Sequence, residues 1–462
     1  MEHCKRWEKM MRGANLKEPP ELTLREDMNR SVQTRAYRLL TPLFGGSVQP
    51  GQPDQHAAVR GSSVRGQLRF WWRATRGGYY QGDLARMKAA ESLLWGAASS
   101  LRHKTGRSLV DVVVINQPGA HPFTPVNRSN QPIRPPLTIG HPSSIDSYAA
   151  FPLNDKPDTF VLDHVAFHLQ LTLPVRWEDE ASSALFAGTP SDELAAALWA
   201  WETFGGIGAR TRRGFGALHC LQVDGVACPL PNDVRTLKAW LNRQLAQHVV
   251  AGVWPEHVPH LAQHLRFHVG TRHNEALSAW RELIGKLKDF RQQRPVNRVE
   301  RRGRIVPQPG RNHWPEQDEV REITGRRSRR HQDVISTVRK FPRAAFGLPL
   351  LIQYKKEDQK DGDPRGDNKV VGRLRDGTNV ERLASPLILR PLLVNNGAVG
   401  LAAILEGVDM PDQLLLNYER GSQVVEWQLT AEEAAMLTNH RGQPILGNET
   451  DVVQAFLNRL EG

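Results

Sequence analysis

The order of the periodic segments between residues 34 and 223 constrains the fold of this 462-residue chain more than any other feature. Alternating or continuous short apolar runs predict strands, and apolar residues at three- and four-residue spacing predict helices. The main segments are a strand, a helix, two strands, a helix and a strand, at about 34–44, 60–76, 109–115, 165–173, 189–204 and 215–223. This order is typical of a ferredoxin-like domain, which is also the scaffold of the RNA-recognition motif.

The helix predicted from residue 189 has the clearest start signal in the chain. Thr189 suits the N-cap, Pro190 suits the first turn, and Asp192 follows three residues after the cap. Leu194 and Leu198 then place apolar side chains on one face. A further helix is predicted at about 84–101.

The length is sufficient for two or three domains. We expect a polar lead-in at 1–30, a ferredoxin-like domain at 31–225 and a second ferredoxin-like α+β domain at 226–462. Two proline-punctuated segments are interpreted as insertions, at 116–160 and at about 294–340, and the second is dense in arginine and expected to be flexible. The predicted fold class is therefore α+β, with two ferredoxin-like (RRM-like) domains and long insertions.

The periodicity of apolar residues is less regular in the second half of the chain. It predicts a histidine-rich helical region at 233–293, strands at 346–354, 385–394 and 399–405, and a mobile charged loop at 355–382. Final helices are predicted from Thr430, where Glu433 completes a capping box, and near Thr450.

The charge of the chain favours a polyanionic partner, because the formal net charge is +12. Cys4, Cys220 and Cys228 form neither a disulfide framework nor a metal-binding spacing, which fits a reducing compartment. No apolar run is long enough to span a membrane, and the first residues lack an apolar signal core. We therefore expect a cytoplasmic protein with no membrane partner.

The predicted helix at 60–76 contains five arginines and no acid: Arg60, Arg65, Arg69, Arg73 and Arg76, called the helix arginines below. Ser62 or Ser63 is expected to cap it, and a serine-capped helix start beside guanidinium groups suits phosphate oxygens. A solvated basic face is the other interpretation of this stripe.

The second arginine-rich stretch, residues 205–216, is called the glycine loop below. It contains five glycines (Gly205, Gly206, Gly208, Gly214, Gly216), three arginines (Arg210, Arg212, Arg213) and no acid. It leads out of a helix and lacks a Gly-Lys-Ser/Thr sequence, so it is neither a Walker loop nor a dinucleotide fingerprint. Either it contacts an extended phosphate backbone, or it is a connector that needs glycine for its geometry.

Residues 41–46 (TPLFGG), 60–73 and the glycine loop together resemble the RAMP superfamily of CRISPR proteins. The helix at 60–73 is most similar to the RAMP proteins that form the first subunit of the type III-B Cmr effector complex. Two stretches in the second half, 341–349 and 382–391, agree with this resemblance.

The resemblance implies two ferredoxin-like domains and a non-catalytic RNA-binding subunit of an antiviral effector complex. Such a subunit caps the filament near the crRNA 3′ end and helps to capture target RNA. Its partners would be crRNA, target RNA and the other Cmr-complex subunits, especially the neighbouring RAMP filament subunits, and no cofactor is expected. The resemblance assigns RNA binding to the five loop glycines and to Arg60, Arg65, Arg69 and Arg73. The chemistry of the side chains adds Ser62, Ser63, Trp72, Arg76, Arg210, Arg212, Arg213 and Phe215, with Trp71 expected in the core.

The alternative function is that of a metal-dependent endoribonuclease subunit. It would use Asp54, the only acid in the loop after the first strand, to help hold a divalent ion near the scissile phosphate. The aspartate of such a loop is otherwise a turn former. His257, His260, His264 and His268 recur at helical spacing, but no HExxH motif is present, and we expect no metal site there.

Overall fold

A computed structural model of the chain describes residues 29–47, 53–54, 57–97, 107–116, 119–123, 148–150, 161–301 and 304–461. The predicted lead-in at 1–30 and most of the predicted insertion at 116–160 lie outside these residues. The first half contains β1 Arg30–Leu39, α1 Gly61–Arg76, α2 Leu84–Trp95, β2 Asp111–Asn116, β3 His121–Pro122, β4 Leu162–Asp163, β5 Ala166–Pro174, α3 Glu180–Ser183, α4 Pro190–Phe204, β6 Leu218–Val223 and β7 Val226–Ala227.

The first half forms one five-stranded sheet with the order β2-β5-β1-β6-β7, and all neighbours are antiparallel. Without the short β7, this is the strand order of a ferredoxin-like domain. Tyr37 in β1 pairs with Phe167 in β5 and with Cys220 in β6. Apolar side chains of β5, including Phe167 and Leu169, pack into one core with Leu68 of α1 and Leu198 of α4. The predicted order of elements is therefore confirmed in this half.

The sequence signals for β5 and α4 have clear structural counterparts. Every second residue of β5 is buried, as its alternating pattern predicts. At the start of α4, the Thr189 side chain accepts from the N–H of Asp192, and Asp192 accepts from the N–H of Thr189 (3.0 Å). This reciprocal capping box fixes where the helix begins.

The second half continues with α5 Val234–His248, β8 Phe267–His273, α6 Ala276–Gln292, β9 Val296–Arg301, β10 Arg304–Pro309, α7 Glu316–Thr324, β11 Leu350–Ile352, α8 Lys356–Lys360, β12 Asn368–Arg373, β13 Asn379–Val380, β14 Leu387–Val394, β15 Gly397–Ile404, β16 Gln413–Tyr418, β17 Gly421–Val425, α9 Ala431–Met436 and α10 Val452–Glu461. The predicted caps at Thr430 and Glu433 are present at the start of α9.

A three-stranded antiparallel sheet, β14-β15-β8, is the centre of the second half. Together with α6 and α10 it follows the ferredoxin-like order, but the described residues contain no fourth strand in this sheet. Both of its faces are covered: Ile388 and Leu401 join the core of the first half, whereas Leu387 and Leu389 join a second core with α6 and α10. The first of these two cores therefore contains side chains from both halves of the chain.

Three sequence expectations for the second half need correction. Residues 249–266 are not helical and β8 follows them, so the histidine-rich region consists of two helices, α5 and α6, with a strand between them. The basic segment at 294–340 contains the β9–β10 hairpin and α7, and the loop at 355–382 contains α8, β12 and β13. The strands β11, β12, β16 and β17 form a separate sheet with its own core, which includes Leu350, Val370 and Leu416.

None of the helices in the described ranges is long and apolar enough to cross a membrane.

The burial of His248 predicts that the fold is sensitive to acid. His248 ends α5 and stacks on Trp199 of α4, with ring centroids 5.2 Å apart. Burial, assisted by Arg76, lowers the pKa of His248 to about 4. Between pH 6.5 and about 4 the unfolded chain then binds more protons than the folded one, so stability falls as the pH falls.

His248→Phe keeps a ring against Trp199 and removes this titration. We expect the free energy of unfolding of the parent to fall by up to about 1.4 kcal/mol per pH unit more than that of the variant across this window. Urea unfolding at pH 7, 5.5 and 4.5 measures the difference. Parallel stability curves for the two proteins would contradict it.

Candidate nucleic-acid interface

The glycine loop joins α4 to β6 and is fixed along much of its length by backbone hydrogen bonds. The N–H of Ile207 donates to the carbonyl of Gly216 (2.9 Å), and the N–H of Ala209 donates to the carbonyl of Phe44 (2.7 Å). The N–H of Gly216 donates to the carbonyl of Pro42 (2.9 Å). These three amides are used inside the protein, so they do not serve a ligand.

Two of the loop glycines occupy positions that a larger residue would strain. Gly208 has φ +82°, and a Cβ there would lie 2.5 Å from the carbonyl oxygen of Phe44. Gly216 has φ +60°, and a Cβ there would collide with the carbonyl of Ile207. Close neighbours also crowd the Cβ positions of Gly205, Gly206 and Gly214. The connector interpretation therefore explains the glycines, but it does not explain the arginines.

Arg210, Arg212 and Arg213, called the loop arginines below, are half-buried, and no carboxylate among the described residues compensates their charge. Burial lowers the pKa of Arg212 to about 10. Burial and the nearby Arg291 lower the pKa of Arg213 to about 9. The guanidinium groups of Arg212 and Arg213 therefore stay charged at pH 7. The loop thus carries positive charge that no carboxylate in the described part of the chain neutralises.

The loop arginines lie where the two halves of the chain meet. Arg212 donates to the carbonyl of Ser385, and its guanidinium lies 5.6 Å from the ring centroid of Phe70 in α1. The indole N–H of Trp280 in α6 donates to the carbonyl of Arg213 (2.7 Å). A ligand held by these side chains would therefore contact a surface that both halves build.

The helix predicted at 60–76 is present as α1, but its start differs from the expectation. Arg60 is the N-cap residue, with extended backbone, and neither Ser62 nor Ser63 caps the helix. The N–H of Ser63 instead donates to the carbonyl of Arg60 (2.9 Å) inside the first turn. The Arg60 guanidinium donates to the carbonyl of Gly46. The serine cap was therefore a wrong prediction.

Three of the helix arginines contact two buried carboxylates, and two of the three share one carboxylate. Arg69 Nε donates to Glu91 Oε1 (2.9 Å), and Arg73 donates to the same oxygen. Arg76 is buried and lies 3.5 Å from Glu193 Oε1. Arg65 is half-buried, and its Nε has no hydrogen-bond partner within the described part of the chain. Glu91 and Glu193 offset at most two of these three positive charges, which reduces the positive charge that α1 offers to an external anion.

Trp72 and Phe215 were predicted to contact RNA, but both lie in the core. Trp72 is fully buried, and its indole N–H donates to Glu193 Oε2 (2.7 Å). Phe215 is 1% exposed and packs edge-on against Trp280, with ring centroids 5.0 Å apart. Neither ring presents a face to a base. Trp71 is also buried, as expected.

The structure adds two arginines that no sequence motif indicated. Arg291 lies in the last turn of α6, and Arg294 follows that helix by two residues. Arg291 interacts electrostatically with Arg213, and the Tyr148 phenol interacts with both Arg213 and Arg294. A sequence signal was present, since residues 291–298 contain three arginines and no acid, but nothing in it indicated proximity to the glycine loop.

Asp54, the candidate catalytic residue, has a turn-forming contact. Its Oδ1 accepts the backbone N–H of Ala57 (3.0 Å), three residues later in the chain. This is the local hydrogen bond by which an aspartate stabilises a turn.

The histidines at 257–268 do not share a helical face. His257 pairs with Asp409 (3.1 Å), His260 stacks on Trp254 with ring centroids 4.3 Å apart, and His268 lies in β8.

The single group of potential metal ligands within the described ranges is His331, Asp358 and Asp363. Asp363 accepts two hydrogen bonds from Arg321 (3.0 and 2.9 Å) and contacts His331 Nδ1 (2.8 Å). Asp363 therefore has a cationic partner already, and this group is an ion-pair network.

Arg390 in β14 forms hydrogen bonds on both sides of the glycine loop, and we expect these bonds to stabilise the fold. It is fully buried, and it donates to the carbonyls of Gly205 (2.6 Å) and Leu218 (2.7 Å). Arg390→Met keeps apolar volume but leaves both buried carbonyls without this donor. Because each unpaired buried acceptor costs about 1–3 kcal/mol, we expect the free energy of unfolding to fall by about 3 kcal/mol.

Arg272→Met is the matched control. Arg272 is exposed and also donates to a backbone carbonyl, that of Asn396 (2.6 Å). Its replacement should change stability by less than about 0.5 kcal/mol. Urea unfolding compares the two variants, and equal losses of stability would show that burial of the Arg390 bonds contributes nothing.

In comparisons with known proteins, a family model matches the part of the chain that contains α1 and the glycine loop. Residues 37–219, from β1 to the second residue of β6, match the family model of the RAMP superfamily. A search of the curated proteins finds no match.

Solved structures with similarity to this chain include the crystal structure of Cmr1 from Pyrococcus furiosus in its apo form. It has 14% sequence identity and a TM-score of 0.43, covering 85% of this chain and 94% of that one. A chain of the type III-B Cmr-beta complex bound to cognate target RNA has 14% identity and a TM-score of 0.45, covering 82% of this chain and 96% of that one. At TM-scores below 0.5, these similarities carry no conclusion by themselves.

Proposed function

We propose that this chain, which belongs to the RAMP superfamily through its residues 37–219, is an RNA-binding subunit of a type III-B CRISPR effector complex. The observation that carries the proposal is that no carboxylate in the described part of the chain compensates the charge of the loop arginines. Partly buried guanidinium groups without carboxylates favour an external anion, and RNA supplies a row of phosphates. The motif resemblance in both halves supports the assignment to the Cmr complex.

The proposed contact is with the RNA backbone. Guanidinium groups contact phosphate oxygens irrespective of sequence, whereas sequence is recognised at base edges. Trp72 and Phe215 are buried and offer no stacking surface. A subunit of this kind accepts any guide, which suits a complex whose crRNA changes with each target. Its partners would be crRNA, target RNA and the neighbouring subunits of the filament.

We further propose that the subunit is non-catalytic and occupies the end of the filament near the crRNA 3′ end. The turn-forming hydrogen bond from Ala57 gives Asp54 a structural role. The separate sheet of β11, β12, β16 and β17 adds bulk beyond a ferredoxin-like domain. Such an addition obstructs the repeated head-to-tail stacking that an interior filament subunit requires.

Neutralising the loop arginines tests the proposal. Arg210→Gln, Arg212→Gln and Arg213→Gln, combined in one variant, should weaken binding of unrelated single-stranded RNAs to a similar extent. The slope of log affinity against log salt should decrease by roughly 0.7 for each lost phosphate contact. Fluorescence anisotropy at several salt concentrations measures both quantities.

The control removes three charges from the exposed face of α5, with Arg235→Gln, Lys238→Gln and Arg243→Gln. It lowers the net charge by the same amount, so it reports the non-specific effect of charge. If the two triple variants lose the same affinity, the glycine loop is only a connector and the proposal fails.

A further inference from the structure

Several buried or half-buried arginines of this chain form ion pairs with carboxylates. Arg321 pairs with Asp318 (2.8 Å) and Asp363 (2.9 Å), and Arg343 pairs with Glu316 (2.9 Å), a fully buried carboxylate. Arg35 pairs with Glu202 (2.7 Å), and Arg76 with Glu193 (3.5 Å). The fold therefore supplies a carboxylate to each of these four arginines.

The arginines around Arg213 are an exception. Its charged neighbours are Arg291, Arg210 and Arg212, and no acid is among them. Arg294 has Arg343 and Tyr148 as neighbours, and Arg343 is already paired with Glu316. Like charges are thus held together without a compensating negative charge in the described residues.

Unpaired donors are present at the same place. Nine guanidinium nitrogens in the described part of the structure are buried without a hydrogen-bond partner, and four of them belong to this group: Arg210 Nε, Arg213 Nη1, Arg291 Nε and Arg294 Nε. A buried N–H without an acceptor costs free energy, and the cost is larger for a charged group. An anion bound among these side chains would satisfy the donors and the charge together.

The C-terminal end of α6 does not by itself explain why Arg213, Arg291 and Arg294 are present without carboxylate partners among the described residues. The last turn of α6 favours a cation, and the Arg291 guanidinium lies 5.2 Å from the ring centroid of Phe346. These interactions give a structural reason for Arg291. They give none for Arg213 or Arg294, which lie in the glycine loop and beyond the helix.

We propose that Arg213, Arg291 and Arg294 form one binding site for a phosphate group, with ligands from both halves of the chain. This inference rests on the proposed function, since the phosphate is that of an RNA backbone. The guanidinium fork matches phosphate oxygens, and three forks around one group exclude a neutral ligand. Arg213 comes from the RAMP domain and the other two from the second half, so RNA bound here contacts both halves at once.

The test uses the full chain with Arg291→Gln and Arg294→Gln combined. Melting temperature is measured in chloride and in inorganic phosphate at constant ionic strength. Phosphate should raise the melting temperature of the parent and leave that of the variant unchanged. In chloride the variant should melt at or above the parent temperature, because repulsion among unpaired arginines is relieved. A structural role for these arginines predicts the opposite, a lower melting temperature in both salts.

Single-stranded RNA is the second probe. The slope of log affinity against log salt should decrease by roughly 1.4 in the double variant, for two lost phosphate contacts. The control carries Lys288→Gln, on α6, and Lys238→Gln, on α5, which remove two exposed charges. Arg291 packs over Phe346, so its replacement could disturb folding. If the double variant fails to fold, the single variant Arg294→Gln replaces it in both measurements.

The outcomes separate this site from the proposed function. RNA binding that the loop triple variant loses and the double variant keeps would overturn the composite site and retain the function. Phosphate protection in a parent chain that binds no RNA would retain an anion site and overturn its RNA source. Equal phosphate protection of the parent and the double variant would overturn the site itself.

Discussion

The hydrogen bonds of Arg390 are the interaction on which the arrangement of the two halves depends. This buried side chain reaches from the central sheet of the second half to the carbonyls of Gly205 and Leu218, on either side of the glycine loop. Burial lowers the pKa of Arg390 to about 9, so it still carries its charge at pH 7. The first half can therefore take only one position relative to β14 without leaving buried carbonyls unpaired.

With both ends held in this way, the middle of the loop has a fixed place. Trp280 binds the carbonyl of Arg213, and Arg212 binds the carbonyl of Ser385. The loop arginines are thus presented at the junction of the halves by contacts of their backbone and flanking residues. Because no carboxylate among the described residues lies there, the charge remains available to a ligand. In α1, by contrast, Glu91 and Glu193 offset part of the charge of Arg69, Arg73 and Arg76.

Local signals in the sequence predicted the first half well. The capping box of Thr189 and Asp192 and the alternation in β5 depend on neighbouring residues, so they are visible in the sequence. Of the sheet formed by β11, β12, β16 and β17, only a strand that overlaps β11 was predicted, because the other strands are short and charged segments separate them. β17, for example, has five residues.

The candidate site was predicted only in part, for a related physical reason. The sequence identified the arginines, but whether an arginine is free depends on partners distant in the chain. Glu91 lies on another helix from Arg69, and Glu193 is more than a hundred residues from Trp72 and Arg76. The same holds for Arg291, which reaches Arg213 only through the packing of α6 beneath the loop.

In the function we propose, the unpaired arginines of the loop, rather than the paired arginines of α1, hold the RNA backbone. A structure of the full chain with bound single-stranded RNA distinguishes the two sets of arginines. We expect a phosphate oxygen within hydrogen-bond distance of the Arg213 guanidinium, while Arg69 and Arg73 keep their bonds to Glu91. Phosphates bound by Arg69 and Arg73, with Glu91 displaced and none at Arg213, would contradict it.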